Sequence, residues 1–198
     1  MRITGGKARG TPIVAPKGSG LRPATDRMRE AVFSSLGARL DGVRFVDLFA
    51  GTGAYGLEAF SRGAAGGVFV EKDRNAVHCL RRNLAAVGKS MGTEVAGVTV
   101  MNRDLFAWRP GPDPRADIVF ADPPYPLLPA ILPRLIRLVD EILSPGEGSL
   151  FVLEGPGELV LQLPGWHLVK TLGKGGGRGN PVCGIWERAP NHLYPSRL

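Results

Sequence analysis

Residues 45–60, FVDLFAGTGAYGLEAF, constrain this chain more than any other stretch. An apolar run, Phe45-Val46-Asp47-Leu48-Phe49, stops at Ala50-Gly51-Thr52-Gly53, and a helical pattern with Leu57, Ala59 and Phe60 starts at once. That order reads as strand, tight turn, helix. Gly51, Gly53 and Gly56 also fit G-x-G-x-x-G, in which glycines let the backbone turn sharply and approach a nucleotide-like ligand beside the free N–H groups of a helix start. A bland turn also accounts for glycines at this spacing. What the loop holds is decided elsewhere in the chain.

Apolar strand-like runs recur at 67–71, 98–101, 117–121 and 149–154, with helical patterns between them. The first of these patterns carries Ala76, Val77, Leu80, Leu84 and Val87; the second carries Leu128, Ile131, Leu132, Leu135, Leu138 and Val139, with Pro133 expected to kink or shorten it. Two late strands, 166–171 and 182–187, flank a glycine-rich segment with no helix between them, which predicts an antiparallel finish. The fold class is α/β, a mostly parallel sheet covered on both faces. Ligands of such sheets sit outside the carboxyl ends of the strands. Asp47, the glycines, Glu71, Asp104 and Asp122 all fall at those ends.

Residues 1–20 read as a β-hairpin arm too small for its own core, leaving 21–198 as the main domain. A helix follows, capped by Thr25 or Asp26, with Met28, Ala31, Val32 and Leu36 on one face. Arg22, Thr25, Asp26 and Arg29 gather at its start, where an anion is favoured. The net charge of +7 is uneven: residues 1–30 carry +5, residues 168–198 carry +4, and the remainder is −2. Basic ends on a slightly acidic middle suit a polyanion gripped by the flanks, or simply a solvated basic surface. No apolar run reaches membrane-spanning length, and MRITGGKARG lacks a secretory core, so a soluble cytoplasmic protein is expected. Cys79 and Cys183 are far apart, without metal-ligand or disulfide spacing, so no metal is expected.

Two features narrow the ligand. Glu71 lies twenty residues after Gly51 and ends the next strand. A carboxylate there accepts both ribose hydroxyls of a nucleoside, which suits NAD and S-adenosylmethionine alike. Asp122-Pro123-Pro124-Tyr125 closes a further strand. Its prolines are rigid and donate no N–H, so carbonyls are left to accept. An aromatic amine would give one N–H to Asp122 and one to the Pro123 carbonyl, aiming the nitrogen lone pair at an electrophile, while Tyr125 stacks on the base. A capped, rigid turn is the plainer reading of the same four residues.

With these motifs the sequence resembles the S-adenosylmethionine-dependent methyltransferases of Rossmann-like fold. Within them it is similar to the bacterial 16S ribosomal RNA guanine-N2 methyltransferases, through Arg2-Ile3-Thr4-Gly5-Gly6, Arg9-Gly10, residues 21–30 (LRPATDRMRE), residues 47–54, Gly56-Leu57-Glu58-Ala59, Ser61-Arg62-Gly63-Ala64, Glu71 and residues 122–125. The resemblance implies a seven-stranded sheet whose last strand is antiparallel. It implies Asp47, Phe49, Gly51, Gly53, Glu71, Lys72, Asp104 and Leu105 around S-adenosylmethionine, with Glu71 on the ribose and Asp104 and Leu105 flanking the adenine. Asp122, Pro123, Pro124 and Tyr125 would receive the guanine amine. Arg2, Lys7, Arg9, Arg22, Thr25 and Arg29 would touch ribosomal RNA or the assembling small subunit; nothing in the sequence itself suggests more than a monomer. The chain departs from the family at residues 172–180, LGKGGGRGN, and at Tyr55, where a smaller aliphatic residue is usual.

Adenine N6 in DNA and a glutamine amide in protein are acceptors for related motifs and stay open as substrates. An NAD oxidoreductase leaves the DPPY motif unexplained, and a non-catalytic RNA-binding protein leaves both motifs unexplained. Cytosine C5 methylation needs a cysteine beside the base, and Cys79 and Cys183 fall in a helix and a late strand. Trp108, Trp166 and Trp186 read as core.

Overall fold

Central strands that are apolar on both faces are satisfied only by a sheet covered on both sides. The structure is a computed structural model that describes residues 1–16, 26–110, 115–145, 148–157, 163–173 and 180–189. Strands β1 (Arg44–Leu48), β2 (Gly66–Glu71), β3 (Val98–Asn102), β4 (Ile118–Ala121), β5 (Leu150–Pro156), β6 (Trp166–Leu172) and β7 (Pro181–Arg188) form one seven-stranded sheet in the order β3-β2-β1-β4-β5-β7-β6. β1 to β5 pair in parallel, and β7 runs antiparallel between β5 and β6. This is the Rossmann-like arrangement, with the strand order reversing between β1 and β4. That reversal opens the crevice in which such sheets hold ligands.

Alternation along the strands divides the core into two layers. Phe45, Phe69, Ile118, Phe120, Leu150 and Val152 face α1 (Asp26–Leu36), α2 (Ala54–Ser61) and α3 (Arg74–Met91). Val46, Leu48, Val70, Val119, Ala121, Phe151 and Leu153 face α4 (Leu128–Ile142), together with Leu105 and Trp108. Trp166 and Trp186 are buried in the second layer, as expected of core residues. No helix of the described residues is long and apolar enough to cross a membrane.

Two local expectations are corrected. α4 runs unbroken through Pro133 to Ile142. The N–H that Pro133 lacks would have met the carbonyl of Pro129, in the first turn, and burial of Leu128, Leu135, Val139 and Ile142 holds the remainder. In α1 the buried face is Met28, Arg29, Val32, Phe33 and Leu36, so Arg29 and Phe33 take the place expected for Ala31.

The first sixteen residues form a hairpin-like arm, bridged at Arg2 and Pro12, that buries Ile3, Ala8 and Ile13 in the first core layer. Its turn sits on α2: Lys7 N–H donates to the Ser61 carbonyl (2.7 Å), and Ala8 N–H to Ser61 Oγ (2.9 Å). Gly6, at φ +75, lies so close to that carbonyl that a Cβ would overlap it. The fully buried Glu58 accepts from Thr4 N–H (2.8 Å), Thr4 Oγ1 (2.7 Å) and Arg62 Nε (2.8 Å).

Candidate active site

Parallel register brings the ends of four strands into one row. Leu48 pairs with both Val70 and Ala121, and Ala121 pairs with Leu153, so Phe49, Glu71, Asp122 and Glu154 emerge side by side. Asp47, Asp122 and Glu154 share the strand face that packs on α2.

The β1–α2 loop is built from backbone conformations that side chains resist. Phe49 (φ 59), Gly51 (φ 54) and Gly53 (φ 83) are all left-handed. For a bulky residue such as Phe49 that conformation costs of order 1 kcal/mol or more, and such strain concentrates where function needs it. Phe49 is half-buried against the second core layer. At Gly56 a Cβ would overlap the rings of Phe69 and Phe45, so glycine lets α2 lie directly on the sheet. That closeness puts Gly56 N–H 2.9 Å from the buried Asp47 Oδ2. Burial, against the opposing bond from Gly56 and aided by Glu71, pushes the Asp47 carboxyl up to about 8. Glu71 closes the loop from the other side, with Oε2 accepting Gly51 N–H (2.8 Å) and Oε1 accepting Asp73 N–H (2.8 Å). Each oxygen keeps a lone pair for a further donor.

Beyond β3, Asp104 is exposed, and its Oδ1 caps a turn through Phe106 N–H (2.9 Å). The Leu105 side chain is buried in the core, which leaves its main chain at the edge. The Lys72 side chain is exposed, while its carbonyl accepts from Asn102 Nδ2 (2.9 Å).

At the end of β4, Pro123 is buried and Asp122 half-buried. The Pro124 carbonyl is taken by Leu127 N–H (2.9 Å), so of the two proline carbonyls expected to be free, only that of Pro123 has no donor among the described residues. Tyr125 starts a short 3-10 turn, and its hydroxyl donates to Glu154 Oε1 (3.0 Å). Glu154 is 3% exposed, and its Oε2 accepts from the Tyr55 hydroxyl (2.7 Å). The Tyr55 ring stacks on Phe120. Burial, then Glu154, then Asp47, hold the Asp122 carboxyl well above the usual carboxylate range. Cys183, across from Glu154 on β7, is fully buried, and burial with Glu154 and Asp122 pushes its thiol up. A protonated thiol sealed behind the site is no nucleophile.

A family model described as conserved hypothetical protein 95 matches residues 1–177. The chain belongs to this family. Among relatives of this chain, "Ribosomal RNA small subunit methyltransferase D" of Escherichia coli K12 is 38% identical over 125 residues, 63% of this chain and 60% of that protein. The matched stretch thus spans less than two thirds of that relative. "Putative rRNA methyltransferase YlbH" of Bacillus subtilis is 32% identical over 171 residues, covering 86% of this chain and 91% of its own. A solved structure of "Putative methyltransferase yhhF" from Escherichia coli superposes with a TM-score of 0.76 at 30% identity, covering 96% of this chain and 98% of its own.

On this family member the expected site residues divide. Asp47, Phe49, Gly51, Gly53, Glu71, Asp122, Pro123 and Tyr125 converge on the crevice between β1 and β4. Arg2, Lys7 and Arg9 are exposed on the arm. Arg22 and Thr25 lie outside the described residues, as do residues 174–179 of the divergent glycine-rich segment. Arg29 contradicts its expectation: it is 0% exposed, and its Nη2 donates to the Arg2 carbonyl and to Asp26 Oδ1, both at 2.6 Å. It clamps arm to helix and has no surface to offer RNA. Sequence reasoning missed Glu154, although an acid closing an apolar parallel strand is the signal that singled out Asp122. It also missed Asn83, a buried helix residue with no such signal.

Proposed function

We propose that this protein transfers a methyl group from S-adenosylmethionine to the exocyclic N2 amine of a guanine in small-subunit (16S) ribosomal RNA. One observation carries the reading: the DPPY segment and the left-handed glycine loop meet at the same strand-order reversal, with Glu71 alongside. The residues fit the cofactor. Asp47 is a buried acid matched to a cationic amino acid group, the loop backbone is open to close approach, and Glu71 has spare lone pairs for ribose hydroxyls. S-adenosylmethionine, when bound, supplies an electrophilic methyl on a sulfonium.

The chain's own groups then handle the acceptor. Asp122 and the Pro123 carbonyl each accept one N–H of the guanine amine, which orients its lone pair. Tyr125 offers a ring whose position is fixed through its hydroxyl, and stacking on it holds the base. Asp122, with its high proton affinity, takes the proton that the nitrogen sheds on methylation. The exposed Arg2, Lys7 and Arg9 contact the RNA backbone during small-subunit assembly. The relatives' names support the rRNA substrate, and Asp122 beside the Pro123 carbonyl suits an exocyclic base amine such as guanine N2.

Tritiated methyl transfer to naked 16S rRNA, protein-loaded small-subunit particles and DNA tests this. Label on one RNA substrate supports it. Label only on DNA keeps the chemistry and replaces the substrate.

A further inference from the structure

A second set of cations lies on the α4 side, away from the arm. The turn after β3 and the middle of α4 meet at Phe106, which packs half-buried against the second core layer. Its carbonyl accepts from Arg109 Nη1 (3.1 Å) and from Arg134 Nη2 (3.0 Å). The Arg134 guanidinium also lies over the Phe106 ring, 4.4 Å from its centroid. Arg137, one turn further along α4, is exposed and held by the Pro133 carbonyl (3.3 Å). None of the three forms an ion pair among the described residues. The neighbouring acid, Asp104, uses Oδ1 on its own turn.

A solvated arginine is ordinarily mobile, and ordering it at an interface costs side-chain entropy. Here two exposed guanidiniums are already ordered, Arg109 on the carbonyls of Phe106 and Trp108 and Arg134 on the Phe106 carbonyl and ring. Two fixed cations without a carboxylate suit the oxygens of consecutive phosphodiesters. The turn begins at the carboxyl end of β3, and α4 follows the short 3-10 turn Tyr125–Leu127, so the pair borders the edge that holds the candidate active site.

We infer that Arg109 and Arg134, with Arg137 beside them, form a second RNA-backbone contact on the α4 face. This rests on the RNA reading above and extends it: the substrate straddles the catalytic edge, with the arm on one side and the arginine pair on the other. The whole-chain charge count hides this patch, because these arginines fall in the net-acidic middle of the sequence.

The test is the salt dependence of binding of the full chain to a small-subunit rRNA transcript. Each neutralised phosphate adds about 0.7–0.9 to the slope of log affinity against log salt. The pair R109A/R134A lowers the slope by about 1.5, whereas R109K/R134K, which keeps charge but loses the stacked, forked geometry, restores most of it. S-adenosylmethionine affinity, read by calorimetry, is the same in both variants, which shows that the fold is intact. An unchanged slope in R109A/R134A overturns the contact. So does a loss seen only on protein-loaded particles, which assigns the patch to a protein. If the wild type labels no RNA, the methyltransferase reading fails separately, because the slope is measured without catalysis.

Discussion

Glu154 accepts the Tyr125 hydroxyl at 3.0 Å on one oxygen and the Tyr55 hydroxyl at 2.7 Å on the other. A carboxylate on β5 thereby fixes the aromatic ring of a motif on β4, and its charge raises the proton affinity of Asp122 beside it. Glu154→Gln keeps the shape and removes the charge. The Asp122 carboxyl then titrates lower, so the acid limb of kcat/KM moves to lower pH. Tyr125→Phe takes one charge-assisted hydrogen bond from the buried Glu154 carboxylate, at a cost of about 1–3 kcal/mol. A pH–rate profile of both variants checks this; an unmoved limb in Glu154→Gln contradicts it.

Asp47 gives a linkage prediction. Its carboxyl is pushed from 3.8 up to about 8 in the folded chain, so at pH 7 it is mostly protonated. A cationic ligand group beside it favours the carboxylate, so S-adenosylmethionine binding releases a proton near pH 7. The Kd tightens as pH rises, by up to tenfold per unit, and levels off above about pH 8. Asp47→Asn flattens that dependence. Calorimetry in buffers of different ionisation heat counts the proton. The same shift acts on stability: this group's contribution is complete below about pH 4 and is lost as pH rises towards about 8.

Much of this architecture was legible because it rests on local rules. Apolar strands closed by acids, glycines at the β1–α2 turn and a DPPY segment each declare themselves within a few residues, and a mostly parallel sheet follows from their order, with its seven strands implied by the family resemblance. What was not legible depends on distant partners. Arg29 reads as a surface cation until the arm folds over it and its guanidinium meets the Arg2 carbonyl. Tyr55 reads as an oddity until β5 delivers Glu154 to its hydroxyl, a separation of 99 residues. Pro133 reads as a helix breaker until the buried face of α4 outweighs one missing bond.

Asn83 is the clearest of these long-range groups. Buried in α3, it accepts Val14 N–H through Oδ1 and donates through Nδ2 to the carbonyls of Val14 and Thr52, all at 3.0 Å. One side chain therefore ties the arm to the glycine loop. Asn83→Ala takes its partner from the buried Thr52 carbonyl and from the partly buried Val14 backbone, which costs about 1–3 kcal/mol. Because Thr52 lies between Gly51 and Gly53, cofactor affinity falls severalfold as well. Denaturant unfolding and calorimetry separate the two effects, and an unchanged Kd limits Asn83 to anchoring the arm.

The central claim is that Asp122 receives a guanine amine at the end of β4. The most direct measurement is nucleoside analysis of small-subunit rRNA after incubation with S-adenosylmethionine and either the wild type or Asp122→Ala. The account predicts N2-methylguanosine with the wild type and a loss of about 10²–10⁴-fold in the variant, with S-adenosylmethionine binding retained. N2-methylguanosine formed at an undiminished rate by Asp122→Ala, or methyl found only on another atom, would contradict it.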